Sequence, residues 1–187
     1  MKRFLAVTLA IVTLALTDTI YAQAQPVNGQ AGTEIWAGQY SSILPQFQIS
    51  LNQKFSPHFG WSVFSTTDRT FSETYASLTC SPRPWITLSA GMGVERGYDH
   101  PRYAASLWMG KGKLSLLSVH EQGSGYFFRH ILSYRLNKHF SAGVFAQRGK
   151  GVGPYLEYKA DKFKIYTAVV KERGEKTKAI LGMKFLF

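Results

Sequence analysis

The stretch that decides the fold is TKAILGMKFLF, residues Thr177–Phe187. Successive side chains of a β-strand point to opposite faces. From residue 179 onward, the odd-numbered side chains share one wholly apolar face: Ala179, Leu181, Met183, Phe185 and Phe187. The opposite face carries two lysines, a glycine and two aliphatic residues. A strand with these two faces requires an apolar surrounding for the first of them.

The first residues have the layout of a secretory signal peptide. Lys2 and Arg3 precede an apolar run over residues 4–16, and Ala22 and Ala24 supply small residues at a cleavage site. The run is shorter than the ~20 residues that a membrane-spanning helix needs. We expect a signal peptide over 1–24, a polar lead-in over 25–33 and a single folded domain over 34–187.

The chain is strongly basic. It has 22 Lys and Arg against 11 Asp and Glu, a formal charge of +11, and loss of Lys2, Arg3 and Asp18 with the leader changes this to +10. Such a charge attracts anions, including lipid phosphates and acidic polysaccharides, whereas export disfavours nucleic acid. The single cysteine, Cys80, excludes a disulfide framework and a cysteine-based metal cluster. We expect no metal and no cofactor.

Short segments in which apolar and polar residues alternate indicate an all-β fold. Five tight-turn segments each precede a strand start: NQKFSPHF, SPRPW, GKGKL, LNKHF and KADKF. Longer and more charged connections lie between them: STTDRT, ERGYDHPR, EQGSG, RGKGVG and ERGEKT. Short connections at one end and longer polar ones at the other are typical of a transmembrane β-barrel. One strand on each side of a bend at Ser41–Pro45 and two for every turn predict twelve antiparallel strands, or ten if the weaker segments are mispaired.

Two features favour lipid outside the sheet over a second sheet packed against it. Aromatic residues cluster at strand ends, where an interfacial girdle would lie: Trp61, Trp85, Tyr103, Phe140, Tyr158 and Phe163. The chain also ends on the strand that closes with Phe187. We therefore expect a closed antiparallel barrel with short periplasmic turns, longer outer loops and no open edge in hydrocarbon.

The sequence resembles bacterial outer-membrane β-barrel proteins as a class. The resemblance rests on the leader and on Gly182, Phe185 and Phe187, which look like the C-terminal signal read by the barrel-assembly machinery. Ile180 departs from the pattern, because the class usually has a polar residue there. The resemblance implies a location in the outer membrane, contact with lipid and lipopolysaccharide, and the assembly machinery as a partner. The oligomeric state stays open.

If the apolar faces contact lipid, the polar faces line a lumen in which cations outnumber anions. The candidate lining residues are Arg129, Arg135, Lys159, Lys184, Glu73 and Glu157. A barrel of about eight strands is filled by its side chains and one of sixteen or more holds a channel, so twelve strands allow either outcome. One hypothesis is a narrow pore for small anionic or polar solutes. The alternative is that the two glutamates neutralise the cations and the interior is plugged.

Three predicted upward strands end in related tripeptides, Glu95-Arg96-Gly97, Gln147-Arg148-Gly149 and Glu172-Arg173-Gly174. Guanidinium groups bind phosphate in a bidentate manner. Arg96, Arg148 and Arg173 are therefore candidate contacts to lipopolysaccharide phosphates at the outer rim. A glycine-assisted turn with solvated charges is the alternative.

No credible catalytic constellation is found. Outer-membrane lipid A deacylases carry histidine and serine two residues apart on a strand, whereas His130 and Ser133 are three apart and should face opposite ways. His120 and its neighbour Glu121 should also face opposite ways. The prediction is therefore a pore and not an enzyme. A non-conducting structural or assembly-partner barrel that binds anionic envelope glycans is the second hypothesis, and a lipid-modifying enzyme is the third.

Overall fold

The computed structural model describes residues 26–37, 44–174 and 176–187. The predicted signal peptide and the residues of the predicted bend at 41–43 lie outside this part of the chain. The strands are β1 (Asn28–Ala37), β2 (Leu44–Lys54), β3 (Phe59–Thr67), β4 (Ser72–Arg83), β5 (Ile86–Glu95), β6 (Tyr98–Lys111), β7 (Leu114–Gln122), β8 (Tyr126–Arg135), β9 (Phe140–Gln147), β10 (Gly151–Lys159), β11 (Phe163–Val170) and β12 (Lys178–Leu186).

The strands form one closed barrel in which each strand pairs with its neighbours in sequence and β1 pairs with β12. All of the pairings are antiparallel, as β1 with β2 and with β12 shows at the closing seam. This confirms the all-β, closed, twelve-stranded prediction. The start of the barrel is corrected, because β1 begins at Asn28 and not at residue 34. Residues 28–33, expected in a polar lead-in, pair with β2, and residues 30–33 also pair with β12.

Phe187 contacts Gly29 at the seam between β1 and β12. The Gly29 amide donates to the Phe187 carbonyl at 2.7 Å, and the Phe187 amide donates to the Gly29 carbonyl at 2.9 Å. The Phe187 ring lies over Gly29, where a Cβ would overlap it. The terminal residue therefore belongs to the closing sheet, and its ring covers a site that only glycine leaves free.

The side chains separate onto two faces as the alternation predicted. Large apolar side chains are exposed on the outer surface, where the apolar side of each strand would contact lipid: Phe47, Leu88, Met92, Val144, Leu181 and Phe185. The buried residues point inward: Glu34, Glu73, Tyr75, Arg102, Phe145 and Ile180. No helix in the described ranges is long and apolar enough to cross a membrane.

Aromatic side chains gather at the periplasmic ends of neighbouring strands, as the girdle prediction requires. The Tyr158 ring packs at a tilt against its neighbours, at centroid distances of 5.1 Å to Phe140 and 6.2 Å to Phe163. Tyr103 and Tyr126 are exposed near the opposite, outer end of the barrel. Aromatic rings at both ends and aliphatic side chains between them are typical of a barrel that spans a bilayer.

The outer connections are shorter than predicted. ERGYDHPR was expected to be a loop, but β6 begins at Tyr98, so the connection shrinks to Arg96 and Gly97. RGKGVG shrinks likewise, because β10 begins at Gly151. Gly97, Gly149 and Gly174 have positive φ angles of 77°, 72° and 81°. Left-handed backbone is reached at little cost only by glycine, so each tripeptide has glycine where the backbone requires it, and those at Gly97 and Gly149 build tight turns.

Gly182 has a packing role inside the barrel. The Tyr166 ring on the neighbouring strand lies directly over it, and a Cβ at residue 182 would overlap that ring. The Tyr166 hydroxyl donates to Glu34 on β1, which pairs with Gly182 on the other side. A glycine here therefore lets a tyrosine lie flat on the lumen wall and reach a buried carboxylate.

We predict that Gly182→Ala destabilises the barrel by about 1–3 kcal/mol, because the added methyl forces the Tyr166 ring off the wall. Equilibrium unfolding in urea, followed by tryptophan fluorescence in detergent, measures the loss. The matched control is Gly125→Ala, where a Cβ meets open space. Equal effects of the two substitutions would contradict the packing role.

Candidate functional site in the barrel lumen

One wall of the outer half of the lumen is organised around Arg102 on β6. Its Nη2 lies 3.2 Å from Glu73 Oε2 and 3.4 Å from Glu121 Oε2, and its Nη1 contacts Glu95. The Tyr75 hydroxyl lies 3.1 Å from the Glu73 carboxylate and 3.3 Å from that of Glu121. Three carboxylates therefore share one guanidinium, and two of them also share one phenol. The arrangement is buried, and it links the four neighbouring strands β4, β5, β6 and β7 at this level.

A second ion pair crosses the lumen. Arg129 on β8 meets Glu34 on β1, with Nη1 to Oε1 at 2.9 Å and Nη2 to Oε2 at 3.1 Å. In the barrel order, five steps separate β8 from β1, so the two side chains reach towards each other from nearly opposite walls. Arg129 Nε also donates to Gln147 Oε1 at 2.8 Å. The bidentate geometry is the strong form of an arginine–carboxylate contact.

Apolar and aromatic side chains fill the lumen next to this ion pair. The buried cluster comprises Phe145, Tyr155, Tyr166, Ala168, Val170 and Ile180, with Ile131 packed against it. Phe145 and Val170 are 0 % exposed. Side chains inside a barrel reach that level of burial only where the interior is filled, so the β8–β12 side of the outer half is packed.

The periplasmic half of the lumen is polar and open. Trp108, whose cross-strand partners are Thr87 and Leu117, points inward and is still 41 % exposed. Small hydroxyl side chains line the same level of the wall, including the Ser115 and Ser133 pair with 2.8 Å between their oxygens. Exposure of an inward tryptophan shows water-accessible space in this half.

Basic side chains dominate the β8–β12 wall of the periplasmic half. Arg135, Lys159, Lys164 and Lys184 occupy inward positions of their strands. The acidic side chain among them is Glu157, whose Oε2 is 4.0 Å from Lys164 Nζ and which accepts from the Tyr155 hydroxyl at 2.8 Å. Lys184 Nζ lies 5.7 Å from the centroid of the Tyr166 ring. This wall is therefore net positive.

The predicted lumen residues all lie on the inner face, but they do not form one site. Arg129 and Glu73 belong to the two outer-half networks, where they contact Glu34 and Arg102 and not each other. Arg135, Lys159, Lys184 and Glu157 lie in the periplasmic half. The hypothesis of a plugged lumen included neutralisation of Arg129 by Glu73. That contact is wrong, because Glu34 and not Glu73 forms the ion pair with Arg129.

Sequence reasoning missed Glu34, Arg102 and Glu121 as lumen residues. Glu34 stood at the expected boundary of the barrel, and Arg102 was assigned to a loop. Arg102 could have been recognised from its parity, because it shares a face with Ala104 and Ser106 in an alternating run. No local signal could have paired Glu34 with Arg129, which are 95 residues apart.

The three rim arginines lie in outer turns, and their surroundings differ. Arg148 donates to the Tyr126 carbonyl, and its guanidinium carbon lies 5.8 Å from the centroid of the Tyr126 ring. Arg96 and Arg173 are exposed.

His130 and Ser133 face opposite sides of the barrel, as expected, since Ser133 pairs with inward Ser115 and His130 with Ser118. No cluster of His, Cys, Asp and Glu in the described ranges could hold a metal ion.

Lys150 occupies the outer turn between β9 and β10, at the mouth of the lumen. Burial lowers the pKa of its ammonium to about 7, and the positive charges of Arg129 and Lys178 act in the same direction. The negative charges of Glu34 and Asp68 oppose this shift. Lys150 is therefore a cation whose charge changes near neutral pH.

We predict that Glu34→Gln destabilises the barrel by about 3–5 kcal/mol, because it leaves the Arg129 charge uncompensated inside the lumen. Unfolding in urea measures the change. Glu157→Gln is the matched control, since its pairing with Lys164 is long and partly exposed, and about 1 kcal/mol or less is expected. Similar losses for the two variants would contradict the special position of the crossing ion pair.

Comparisons with known proteins support the fold. No protein-family model matches the chain, and no curated protein matches its sequence. Among solved structures, the KdgM porin is 16% identical with a TM-score of 0.58, covering 86% of this chain and 99% of that one. Omp33 of Acinetobacter baumannii is 11% identical with a TM-score of 0.57, covering 89% and 100%. The NanC porin is 11% identical with a TM-score of 0.50, covering 86% and 99%. The chain thus has the β-barrel fold of bacterial outer-membrane porins.

Proposed function

We propose that the chain is an integral protein of the bacterial outer membrane and a narrow pore for small anionic or polar solutes. The observation that carries this proposal is the open, net positive periplasmic half of the lumen. Among the described residues of the β8–β12 wall there, four inward cations accompany one inward glutamate, and a lumen-facing tryptophan is exposed to water. A barrel whose interior served only to stabilise the fold would not need solvent-accessible space lined by more cations than carboxylates.

We propose the Glu34–Arg129 ion pair as the narrowest level of the pore, because its two side chains meet from nearly opposite walls. A solute moving inward from the outer mouth would pass Lys150, then this pair, and then Lys184 and the basic wall. Arginine and lysine at successive levels offer an anion a series of exchangeable partners. Four inward carboxylates described in the outer half are engaged by Arg102 or Arg129, which reduces their repulsion of an anion: Glu34, Glu73, Glu95 and Glu121.

One structural neighbour supports an anionic solute. The KdgM porin has been solved in complex with disordered oligogalacturonate, and that chain is 19% identical to this one with a TM-score of 0.58. The likeness concerns the fold, so the class of solute rests on the charges of this lumen. We propose small organic anions as the class.

A non-conducting barrel is the second candidate function, and the buried apolar cluster favours it. Phe145, Tyr155, Tyr166, Val170 and Ile180 fill one side of the outer half. In that case the basic turns at the periplasmic end would bind an anionic envelope glycan, and the barrel would serve as a structural or assembly partner. Conductance separates the two candidates.

We also propose roles for two further groups of residues. Gly182, Phe185 and Phe187 would be recognised by the barrel-assembly machinery, since they lie on the strand that closes the barrel. Arg96, Arg148 and Arg173 would lie near lipopolysaccharide phosphates at the outer rim, because each of them is in an outer turn.

We predict discrete anion-selective conductance for the purified barrel in planar bilayers. The double variant Arg135→Glu with Lys159→Glu should lower the anion-to-cation permeability ratio several-fold, because it reverses the charge of the periplasmic wall. Lys138→Glu with Lys162→Glu is the matched control, since these lysines lie in water-exposed turns where salt screens them. No conductance from correctly folded protein would reject the pore.

A second prediction concerns the narrowest level. Glu34→Ala with Arg129→Ala removes both charges together, so it leaves no unpaired ion and shortens both side chains that cross the lumen. Single-channel conductance should rise several-fold. Unchanged conductance would show that the constriction lies elsewhere, in the apolar cluster.

A third prediction concerns pH. Because the pKa of Lys150 is about 7, its ammonium is charged below that pH and neutral above it. Anion selectivity should therefore increase as the pH falls through about 7. Reversal potentials under a salt gradient measure this. Lys150→Met should flatten the profile, whereas Lys176→Met, in the exposed outer loop, should leave it unchanged. A persistent pH step in Lys150→Met would contradict the assignment.

A further inference from the structure

The lipid-facing side of β7 and β8 carries a polar cluster where other strands carry aliphatic residues. The strand pairing places Ser118 opposite His130, His120 opposite Phe128, and Gln122 opposite Tyr126 on this face. One step towards the periplasm the same face is apolar again, with Leu116 opposite Leu132. We define the polar cluster as Ser118, His120, His130 and Tyr126.

The polar cluster is a connected hydrogen-bond chain. Ser118 Oγ lies 3.0 Å from His130 Nδ1 and 3.1 Å from His120 Nε2. His120 Nδ1 lies 2.6 Å from the Tyr126 hydroxyl. The rings also stack, with His120 and Tyr126 at a centroid distance of 6.0 Å and Phe128 and His130 at 5.1 Å. The chain fixes the orientation of both imidazoles.

The depth of the polar cluster matches the polar part of a lipid. Ser118 is four residues before the outer end of β7 at Gln122, which corresponds to roughly 10 Å of height in a tilted strand. Tyr126, the outermost member of the cluster, and Tyr103 mark the interface, as tyrosines do in barrels. The polar cluster therefore lies where the headgroups and ester linkages of the outer leaflet begin.

Arg148 adds a positive charge at the upper end of the polar cluster. Its guanidinium lies over the Tyr126 ring and donates to the Tyr126 carbonyl. Small side chains flank the cluster, since Ala105 pairs with His120 and Ala146 pairs with His130. A shallow polar surface topped by an arginine is thus left uncovered on a face that otherwise contacts acyl chains.

Polar side chains that face hydrocarbon reduce the stability of a barrel, and an aliphatic pair at these positions would avoid that loss. Hydrogen bonds within the cluster offset part of it. A lipid whose phosphate accepts from Arg148 and whose linkage region bonds to the imidazoles and Ser118 would offset the rest. The arginine gives the surface its preference for a negative charge.

We infer that the polar cluster together with Arg148 is a binding site for the phosphate-bearing headgroup of an outer-leaflet lipid. The site lies outside the barrel, so it does not depend on whether the lumen conducts. Arg148 also differs here from the other rim arginines, because no such polar cluster lies beneath Arg96 or Arg173 in the part of the chain that the structure describes.

The experiment uses native mass spectrometry of the purified barrel in detergent, titrated with lipid A that carries its phosphates and with the same lipid after dephosphorylation. The test variant is Ser118→Ala with His120→Leu and His130→Leu, which replaces polar groups by the apolar residues that this face prefers, so that the fold is retained. Arg148→Gln tests the charge. The expected result is about tenfold weaker binding of phosphorylated lipid A for each variant, and weak binding of the dephosphorylated lipid by all proteins.

Two controls make the outcome specific. Ser65→Ala with Thr74→Leu removes another hydrogen-bonded polar pair, at 2.9 Å, from the lipid-facing surface of β3 and β4. Arg69→Gln removes an equal charge from the exposed outer connection between β3 and β4. Both should bind phosphorylated lipid A as the unaltered protein does. Unchanged binding by the polar-cluster variant, or an equal loss in Arg69→Gln, would overturn the inference, and so would tight binding of the dephosphorylated lipid.

Discussion

A β-sheet in hydrocarbon has no water to satisfy an unpaired amide or carbonyl, so every backbone group must find a partner within the sheet. In this chain the pairing of β1 with β12 meets that requirement. The contact between Gly29 and Phe187 lies at the very end of the seam, and it requires a glycine on one strand and tolerates a large ring on the other. Closure removes the edge, and it also creates an interior into which every second residue must point.

The interior is not uniform along the barrel axis. The outer half combines two ion-pair networks with an apolar cluster, whereas the β8–β12 wall of the periplasmic half is net positive. Gly182 links the two levels, because it allows Tyr166 to lie flat between the Glu34 carboxylate and the Lys184 ammonium. The packing of Tyr166 on Gly182 thus also sets the position of the ion pair that crosses the lumen.

The sequence predicted the features that depend on local alternation. The outward face of β12 and the opposite orientations of His130 and Ser133 follow from a period of two, and the strand count follows from the five tight-turn segments and the bend. It did not predict features that depend on closure. Glu34 and Arg129 meet only because the sheet curls through five further pairings, and Arg102 was assigned to a loop because its strand extends beyond the expected turn. Ser118 and His120 are two residues apart and so share a face, but their link to His130 requires the register of β7 against β8.

Lipid contacts one face of each strand, and the other face lines the lumen. Spin labels placed singly from residue 127 to residue 134 along β8, with Cys80 replaced by serine, test this arrangement through relaxation by oxygen and by a water-soluble nickel complex. We expect a period of two, with residues 128, 130, 132 and 134 accessible to oxygen and 127, 129, 131 and 133 shielded from it. Oxygen accessibility without that alternation, or with the opposite phase, would show that the two faces are not arranged in this way.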